Sequence, residues 1–408
     1  AVFRGGRSLE AIEAVCAQGL PIDALDGLAS LVDKDLVQQK ELAGGEARFV
    51  LLEMIHAYAR ELLQAGGEAE QMRRRHAAYF VALAERASPE LRRAGYDAWC
   101  RRFELELDNL RAVLEWALGP GDLSLGVRLA AALGLFWYGK GHHAEGLRWT
   151  QALLARLDEA PLAQRPPFLI SAGHMAWMVD LGRAQGLFSQ ALALSRQLED
   201  KLQSAWALTF LGYARQREPE AALALAEEGL ALFRELDDQP GIAQTLNVIG
   251  EVARLSGEDG RARRAYEACL AVCQQTGEAR RIGYMYNNLT YIAQHEGDHE
   301  QALELARRSA LLARERQDRF DLAVALLPSA ESVAALGRPG LAARILAAAE
   351  AELEGMGAFH QPSDRPEYER VAAAVRARLD PAAFEAAASQ GRALGLEAAA
   401  AALLAEAG

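Results

Sequence analysis

Two stretches carry residue types at spacings that do chemistry elsewhere. In HEGDH, His295 and His299 flank a Glu in the pattern of zinc proteases, where two imidazoles hold the metal and the carboxylate is the general base. That chemistry needs both imidazoles on one face of a continuous helix. Gly297 and Asp298 interrupt any such helix, so the stretch reads as a solvated turn. GLFWYGKG, Gly134 to Gly141, comes close to a phosphate-binding loop, but it ends in Gly where Ser or Thr would hold the metal. Its first Gly also lies inside the helical run LAAALGLFWY, and His142 and His143 fall in the turn that follows. Arginines at Arg73 to Arg75, Arg92 and Arg93, Arg101 and Arg102, and Arg307 and Arg308 are interleaved with acids. They read as solvated helix faces with local ion pairs, not as nucleic-acid contacts. No nucleophile, base and orienter converge, so no catalytic residue and no metal ligand is assigned and an enzyme is the least favoured class.

The composition fits that reading. At 408 residues the chain is too long for one compact core, and 51% apolar with 25% charged residues is the mix of a folded protein. A net charge of -12 sets the chain against non-specific attraction to nucleic acid or an anionic membrane. Aromatics are only 7%, and the abundance of Ala, Leu, Glu and Arg favours helices. Cys16, Cys100, Cys269 and Cys273 are widely spread, which points to a reducing, cytoplasmic setting; Cys269 and Cys273, one helical turn apart, read as small core residues. No apolar run is long enough to span a bilayer, since even the tail from Leu396 carries Glu397 and Glu406. The opening AVFRGG has neither a signal-peptide layout nor an initiator Met, so a piece of a longer protein is expected.

From about residue 125 the sequence repeats itself. Gly257, Gly297 and Gly337 are spaced by 40 residues, and each is followed by Ala (Ala262, Ala302, Ala342), then Tyr266, Ala306 and Leu346, then Cys269, Ser309 and Ala349. Upstream lie Leu246, Ile249 and Gly250, then Tyr286, Leu289 and Thr290, then Leu326, Ser329 and Ala330. Small residues at fixed places on two amphipathic helices, with Gly in the turn between them, predict closely packed helical hairpins. The pattern resembles the tetratricopeptide repeat, with a longer period than that family's usual length of about 34. Earlier units are looser: Ala222, Ala226 and Gly229; Ala184, Phe188 and Ala191; and a first unit from Gly134 and Trp137 to Gly146 and Trp149. About six hairpins are expected over residues 125–355.

The register breaks after Gly357 at FHQPSDRPEYER, where Ser363, with Glu367 nearby, is placed to cap the next helix. Two helices, Glu367 to Leu379 and Pro381 to the tail, are expected to make 356–408 a helical cap over the last hairpin. At the other end, residues 1–65 read as helices at Leu9 to Ala17 and Ile22 to Leu31, strands LVQQKEL and RFVLL around the turn AGGEA, and a helix from Glu53 to Leu63. This is a partial winged-helix-like module. Asp23, Asp26, Asp33 and Asp35 against the single Lys34 suit it poorly to a phosphate backbone. Residues 66–124 read as a helical connector containing HAAYFVALAERA and ELELDNLRAVLEWAL. The expected fold is mainly α: a right-handed α-solenoid of tetratricopeptide-like hairpins preceded by a small partial winged-helix module with a β-hairpin.

Taken in order, LEAIEAVC, LDGLASLVDKDLV, RFVLLEMIHAYARELL, RRRHAAYFVALAE, ELELDNLRAVLEWAL and the tail from RPEYERVAAAVRARL resemble the carboxy-terminal part of STAND-type signalling ATPases of the LuxR-like and AfsR-like bacterial regulators. The resemblance implies an upstream nucleotide-binding domain of the same protein, which would hold ATP and Mg, and repeats that sense an inducer or partner and restrain the ATPase. No cofactor is implied for this chain itself. Many relatives begin the helix after the wing with Met-His-Asp, whose His approaches the nucleotide; Leu51, Leu52 and Glu53 stand here instead.

A tetratricopeptide superhelix binds on the concave face lined by the first helix of each hairpin. Counted from Gly250, the inward positions are Gln244, Asn247, Glu251 and Arg254, and one repeat later Tyr284, Asn287, Tyr291 and Gln294. Earlier units give Trp206, Thr209, Tyr213 and Gln216, then His174 and Trp177, then Arg128 and Tyr138. This polar and aromatic stripe suits a peptide, protein or small-molecule inducer, and Asn247 with Asn287 is the preferred pair for gripping an extended backbone. The expected function is a non-enzymatic sensing arm that controls activation or oligomerisation of a transcription-regulating ATPase, with no direct nucleic-acid or membrane contact. The alternative is a constitutive protein-interaction scaffold without a sensing role.

Overall fold

The computed structural model describes residues 1–17, 23–41, 47–177, 179–356 and 364–405. The chain divides into two compact units, residues 1–179 with 193–198, and residues 180–192 with 199–408. Among the described residues no helix is long and apolar enough to cross a membrane.

In the first unit, α1 (Leu9–Cys16) starts where the Ser8 hydroxyl accepts from the Ala11 amide, and α2 (Ala24–Asp33) starts under Asp23 in the same manner. Strands β1 (Val37–Glu41) and β2 (Ala47–Leu51) pair antiparallel, with Val37 opposite Leu51 and Glu41 opposite Ala47. Residues 43–46 of the expected AGGEA turn lie outside the described residues. Next come α3 (Glu53–Ala65), α4 (Ala69–Glu90) and α5 (Tyr96–Leu118). A buried polar network ties α4 and α5 to the hairpin and to the opening residues. Arg48 of β2 pairs with Glu106 of α5 and donates to the carbonyls of Gly6 at 2.7 Å and Leu105 at 2.9 Å. Asn109 donates to Glu106 at 2.8 Å and accepts the Arg4 amide at 2.9 Å. The His76 imidazole lies 3.2 Å from Asn109 Oδ1, and burial pushes its pKa down to about 4 despite that hydrogen bond.

The unit continues through α6 (Leu123–Gly139), α7 (His143–Leu154) and α8 (Arg165–Trp177). Gly134 is a packing glycine inside α6: a Cβ there would stand 2.3 Å from Ser171 Oγ of α8. Gly141 forms the turn after α6 with φ 78°. The arginine clusters pair with acids, only some of them local as expected: Arg308 of the second unit takes Glu304 at 2.9 Å, whereas Arg74 and Arg102 take the sequence-distant Asp122 at 3.2 Å and Glu10 at 2.7 Å.

α9 (Leu181–Gln197) is shared between the two units. The second unit then runs α10 (Lys201–Ala214), α11 (Pro219–Glu235), α12 (Gln239–Leu255), α13 (Asp259–Thr276), α14 (Ala279–His295), α15 (His299–Glu315), α16 (Arg319–Ala335) and α17 (Pro339–Gly355). α10 packs on α11, α12 on α13, α14 on α15 and α16 on α17 as helical hairpins, as α6 does on α7 in the first unit. Gly257, Gly297 and Gly337 adopt φ of 76°, 80° and 86° in the turns within hairpins. Gly297 therefore separates His295 at the end of α14 from His299 at the start of α15. The turns between hairpins need the same left-handed backbone, taken by Asp237, Gly277 and Gln317 at φ 53°, 72° and 56°. Gly250 lets α12 close on α13, since a Cβ there would meet the Tyr266 ring at 2.4 Å. Cys269 and Cys273 are both buried, with their sulfurs 3.9 Å apart. The first helices also pack on one another, α10 on α12, α12 on α14 and α14 on α16.

Three helices follow, not the two expected: α18 (Arg365–Arg376), α19 (Pro381–Leu394) and α20 (Leu396–Leu404). The stretch from Pro381 to the tail breaks at Gly395, whose φ of 78° no Ala-rich helix continues through. Ser363, the expected cap, lies outside the described residues. α19 and α20 pack on α17, with Gly391 seated against the Arg344 backbone, where a Cβ would lie 2.2 Å from the carbonyl oxygen. All three pack on the last hairpin, α19 and α20 chiefly on α17 and α18 along α16.

Candidate functional site

The polar residues expected on the first-helix face divide three ways. Asn247, Glu251 and Arg254 follow one another at helical spacing on α12, and Tyr291 and Gln294 sit on the next first helix, α14. Asn247 donates to Glu251 Oε1 at 2.7 Å and accepts from Asn288 of α14 at 3.1 Å. The Arg254 side chain has no exposed surface, and its guanidinium carbon lies 5.3 Å from the centre of the Tyr291 ring. Gln294 donates to the Pro328 carbonyl at 2.6 Å and to the Ser332 hydroxyl at 3.0 Å, both on α16. Two buried acceptors on this face, Glu251 Oε2 and Asn287 Oδ1, have no hydrogen-bond partner. Gln216 Oε1, after α10, is in the same condition.

The second group is engaged elsewhere on the same helices. Gln244 accepts from Arg281 at 2.7 Å, and the Tyr284 hydroxyl donates to Asp321 at 2.7 Å. Asp321 is buried; the charges of Arg280 and Arg316 overcome that burial and hold its carboxyl below the usual range.

The third group corrects the expectation. Trp206 is buried in the α10 and α11 hairpin, its ring 4.8 Å from Phe233 and stacked on Phe210 at 5.7 Å. Thr209 is wholly buried, its hydroxyl 2.8 Å from that of Thr245 on α12. Both fill joints between helices instead of lining an open face: Trp206 packs on the Phe233 ring of α11, and Thr209 sits where a Cβ on Gly229 would lie 2.9 Å from its hydroxyl. Tyr213 is half-buried and hydrogen-bonds Glu251. His174, Trp177, Arg128 and Tyr138 belong to the first unit, where Arg128 forms a two-pronged pair with Glu85 and Tyr138 rests against His174.

What sequence reasoning missed is the helix that lies against this face. Glu367 of α18 accepts from Arg254 at 2.9 Å and lies 3.2 Å from the His295 imidazole, whose other nitrogen is 3.1 Å from Asp259. Asp364 is 3.3 Å from the Arg254 guanidinium. Arg370 donates to Glu367 at 2.9 Å and to Gln294 at 3.0 Å, and pairs with Glu331 of α16. Burial opposes ionisation of Glu367, but the hydrogen bond from His295 and the charges of Arg254 and Arg370 prevail and hold its pKa at about 2. The same contact with Glu367, aided by Asp259, raises the His295 pKa. Burial and then the nearby Asp364 push the Glu251 carboxyl up to about 7, against the hydrogen bond of Tyr213 and the charge of Arg254. The acid-base alternation of DRPEYER is a visible signal of ion pairing. Its partners lie up to 113 positions away and have no local signature.

A tetratricopeptide-repeat family model matches residues 213–275, the stretch from the end of α10 to the end of α13. Over 318 residues the chain is 31% identical to "Putative HTH-type transcriptional regulator Rv0890c" of Mycobacterium tuberculosis, a match covering 75% of this chain and 36% of that protein. A Mycobacterium bovis protein with the same description matches equally. The chain thus spans 36% of the length of the curated relatives it matches. Among solved structures, a Rap protein complexed with Competence and Sporulation Factor aligns with a TM-score of 0.50 at 14% identity, over 78% of this chain and 99% of that one, which is a likeness of fold. A STAND protein with a tetratricopeptide-repeat sensor from Pyrococcus horikoshii aligns over 96% of this chain and 61% of its own at 15% identity, with a TM-score of 0.48. The chain is thus a mainly α-helical solenoid whose residues 213–275 match the tetratricopeptide repeat, and over 318 residues it is similar to part of these mycobacterial regulators.

Proposed function

We propose that the chain is a ligand- or partner-sensing arm of a bacterial transcriptional regulator and binds its inducer on the first-helix face of the second unit. The observation that carries this reading is the band of Asn247, Glu251, Arg254, Asn287 and Gln294, polar side chains on the neighbouring first helices α12 and α14, of which Glu251, Arg254, Asn287 and Gln294 are buried. Glu251 Oε2 and Asn287 Oδ1 are buried without partners, and unpaired buried acceptors are costly unless something donates to them. The homology to HTH-type regulators supports a role in transcription, and the neighbour of similar fold is itself bound to a factor.

In the STAND resemblance, the arm acts on an upstream nucleotide-binding domain carrying ATP and Mg, and contributes no catalytic residue of its own. Binding would shift the balance between a resting and an assembled state by favouring one arrangement of the arm. The test is a thermal-shift screen of the chain against fractionated cell extract, with mass spectrometry of each stabilising fraction. A fraction that raises the melting temperature of the parent chain and not of the Asn247→Ala, Asn287→Ala variant supports the reading. Stabilisation that is equal in both chains, or absent from every fraction, refutes it.

A further inference from the structure

α18 presents one side to the first-helix face and the other to the core. Val371, Ala372 and Val375 are buried in the apolar cluster shared with α16 and α17. Toward α12 and α14 it presents carboxylates: Glu367 on Arg254 at 2.9 Å and on His295 at 3.2 Å, and Asp364 on Arg254 at 3.3 Å. A guanidinium with no exposed surface needs an anion beside it, and here that anion comes from a helix more than a hundred residues further along the chain. Toward Arg254 and His295, Asp364 and Glu367 therefore do what the carboxylates of a bound ligand would do.

The same face also holds Glu251 Oε2 and Asn287 Oδ1, buried acceptors without partners. Acceptors require N–H or O–H donors, which a fully deprotonated inorganic anion cannot supply and a peptide backbone does. Carboxylates for Arg254 and His295, together with N–H groups for Asn287 and Glu251, are the chemistry of an acidic peptide.

We infer that this face recognises an acidic peptide segment whose carboxylates take over Arg254 and His295 from Asp364 and Glu367, and that α18 is the intramolecular occupant this ligand displaces. The inference rests on the reading of the face as the ligand site and adds the class of ligand and its built-in competitor. An occupant tethered to the same chain lowers the apparent affinity for a free ligand by the fraction of time it leaves the face open.

The test measures binding of a fluorescein-labelled hexapeptide, DRPEYE, copying residues 364–369, to the full chain by fluorescence anisotropy. Its counterpart NRPQYQ, in which amides replace the three carboxylates, is the control and is called the neutral peptide for those three positions. Asp364→Asn with Glu367→Gln is expected to raise affinity for the acidic peptide by about tenfold or more over the parent chain, because the competitor is weakened. Adding Arg254→Met to that variant removes the gain, and the neutral peptide shows none. Equal affinity of parent and variant, or of the two peptides, overturns the inference. Should the variant lose its helical circular dichroism, hydrogen exchange on the parent chain decides. Acidic peptide, and not neutral peptide, then speeds exchange of the α18 amides, and an unchanged rate overturns the inference. If an extract fraction stabilises the chain through Asn247 and Asn287 while the acidic peptide fails these tests, the inference falls and the ligand site stands.

Discussion

Arg254 of α12 and Glu367 of α18 lie 113 positions apart in the chain and meet as a buried ion pair at 2.9 Å. The pair joins the middle of the repeats to the helix that follows them, and Glu367 serves His295 and Arg370 as well. A carboxylate shared by two guanidinium groups and an imidazole makes each of them depend on it.

Glu367→Leu deprives Arg254, His295 and Arg370 of their common partner and is expected to destabilise the second unit by about 3–5 kcal/mol, the usual cost of stranding buried charge. Glu367→Leu with Arg254→Leu is expected to cost less than the sum of the single changes, with a coupling of about 1–3 kcal/mol. Urea denaturation of the four chains of this double-mutant cycle measures both values. Additive losses would mean that the two side chains do not depend on each other.

Groups in the two units respond to pH in opposite directions near neutrality. His295 faces Asp259 of α13 and Glu367 of α18, with Arg254 and Arg370 behind Glu367, and its pKa is raised in the folded chain. Its contribution is fully present below the ordinary 6.5 and is lost as pH rises through the folded value. Glu251, facing Asp364, Arg254, Tyr213 and Asn247, adds a loss in the same direction between its ordinary 4.5 and about 7. Glu367, held near 2, releases its contribution only as pH falls below 4.5. In the first unit, His76 is buried near Asn109, Arg4 and the chain's amino terminus; its stabilising contribution is present above 6.5 and is lost as pH falls toward about 4. Hydrogen exchange of α18 is therefore expected to quicken from pH 6 to pH 8, and that of α4 from pH 6.5 to pH 4, after correction for intrinsic rates. Glu251→Gln should flatten part of the first trend.

Glycines separate packing from mere helix. Gly250→Ala drives a methyl into the buried Tyr266 ring and is expected to cost about 1–3 kcal/mol through overpacking. Gly186→Ala, exposed on α9 with nothing within 4 Å of the new methyl, is expected to gain about 0.5–1 kcal/mol. Melting curves of the two variants should move in opposite directions.

The same glycine logic marks how far the sequence could be read. The turns at Gly257, Gly297 and Gly337 announce themselves because only a residue without Cβ takes a left-handed backbone freely, and the 40-residue period followed from them. The equivalent turns between hairpins use Asp237, Gly277 and Gln317, so two of the three carry no glycine to see. Helical spacing fixes which of Asn247, Glu251 and Arg254 on α12, and of Tyr291 and Gln294 on α14, lie along one side of their helix, and that much was legible. Trp206 and Thr209 were misplaced because spacing gives direction and not depth: they point into a joint that the neighbouring hairpin closes. The place of α18 was invisible, since its partners are set by tertiary folding and DRPEYER looks the same whether it faces solvent or a guanidinium.

The most direct measurement is hydrogen exchange along the whole chain, with and without a cell-extract fraction that stabilises it. The account predicts slower exchange in α12 and α14, around Asn247, Arg254 and Asn287, together with faster exchange in α18. Protection confined to the second helices α13, α15 and α17, with α12, α14 and α18 unchanged, would contradict it.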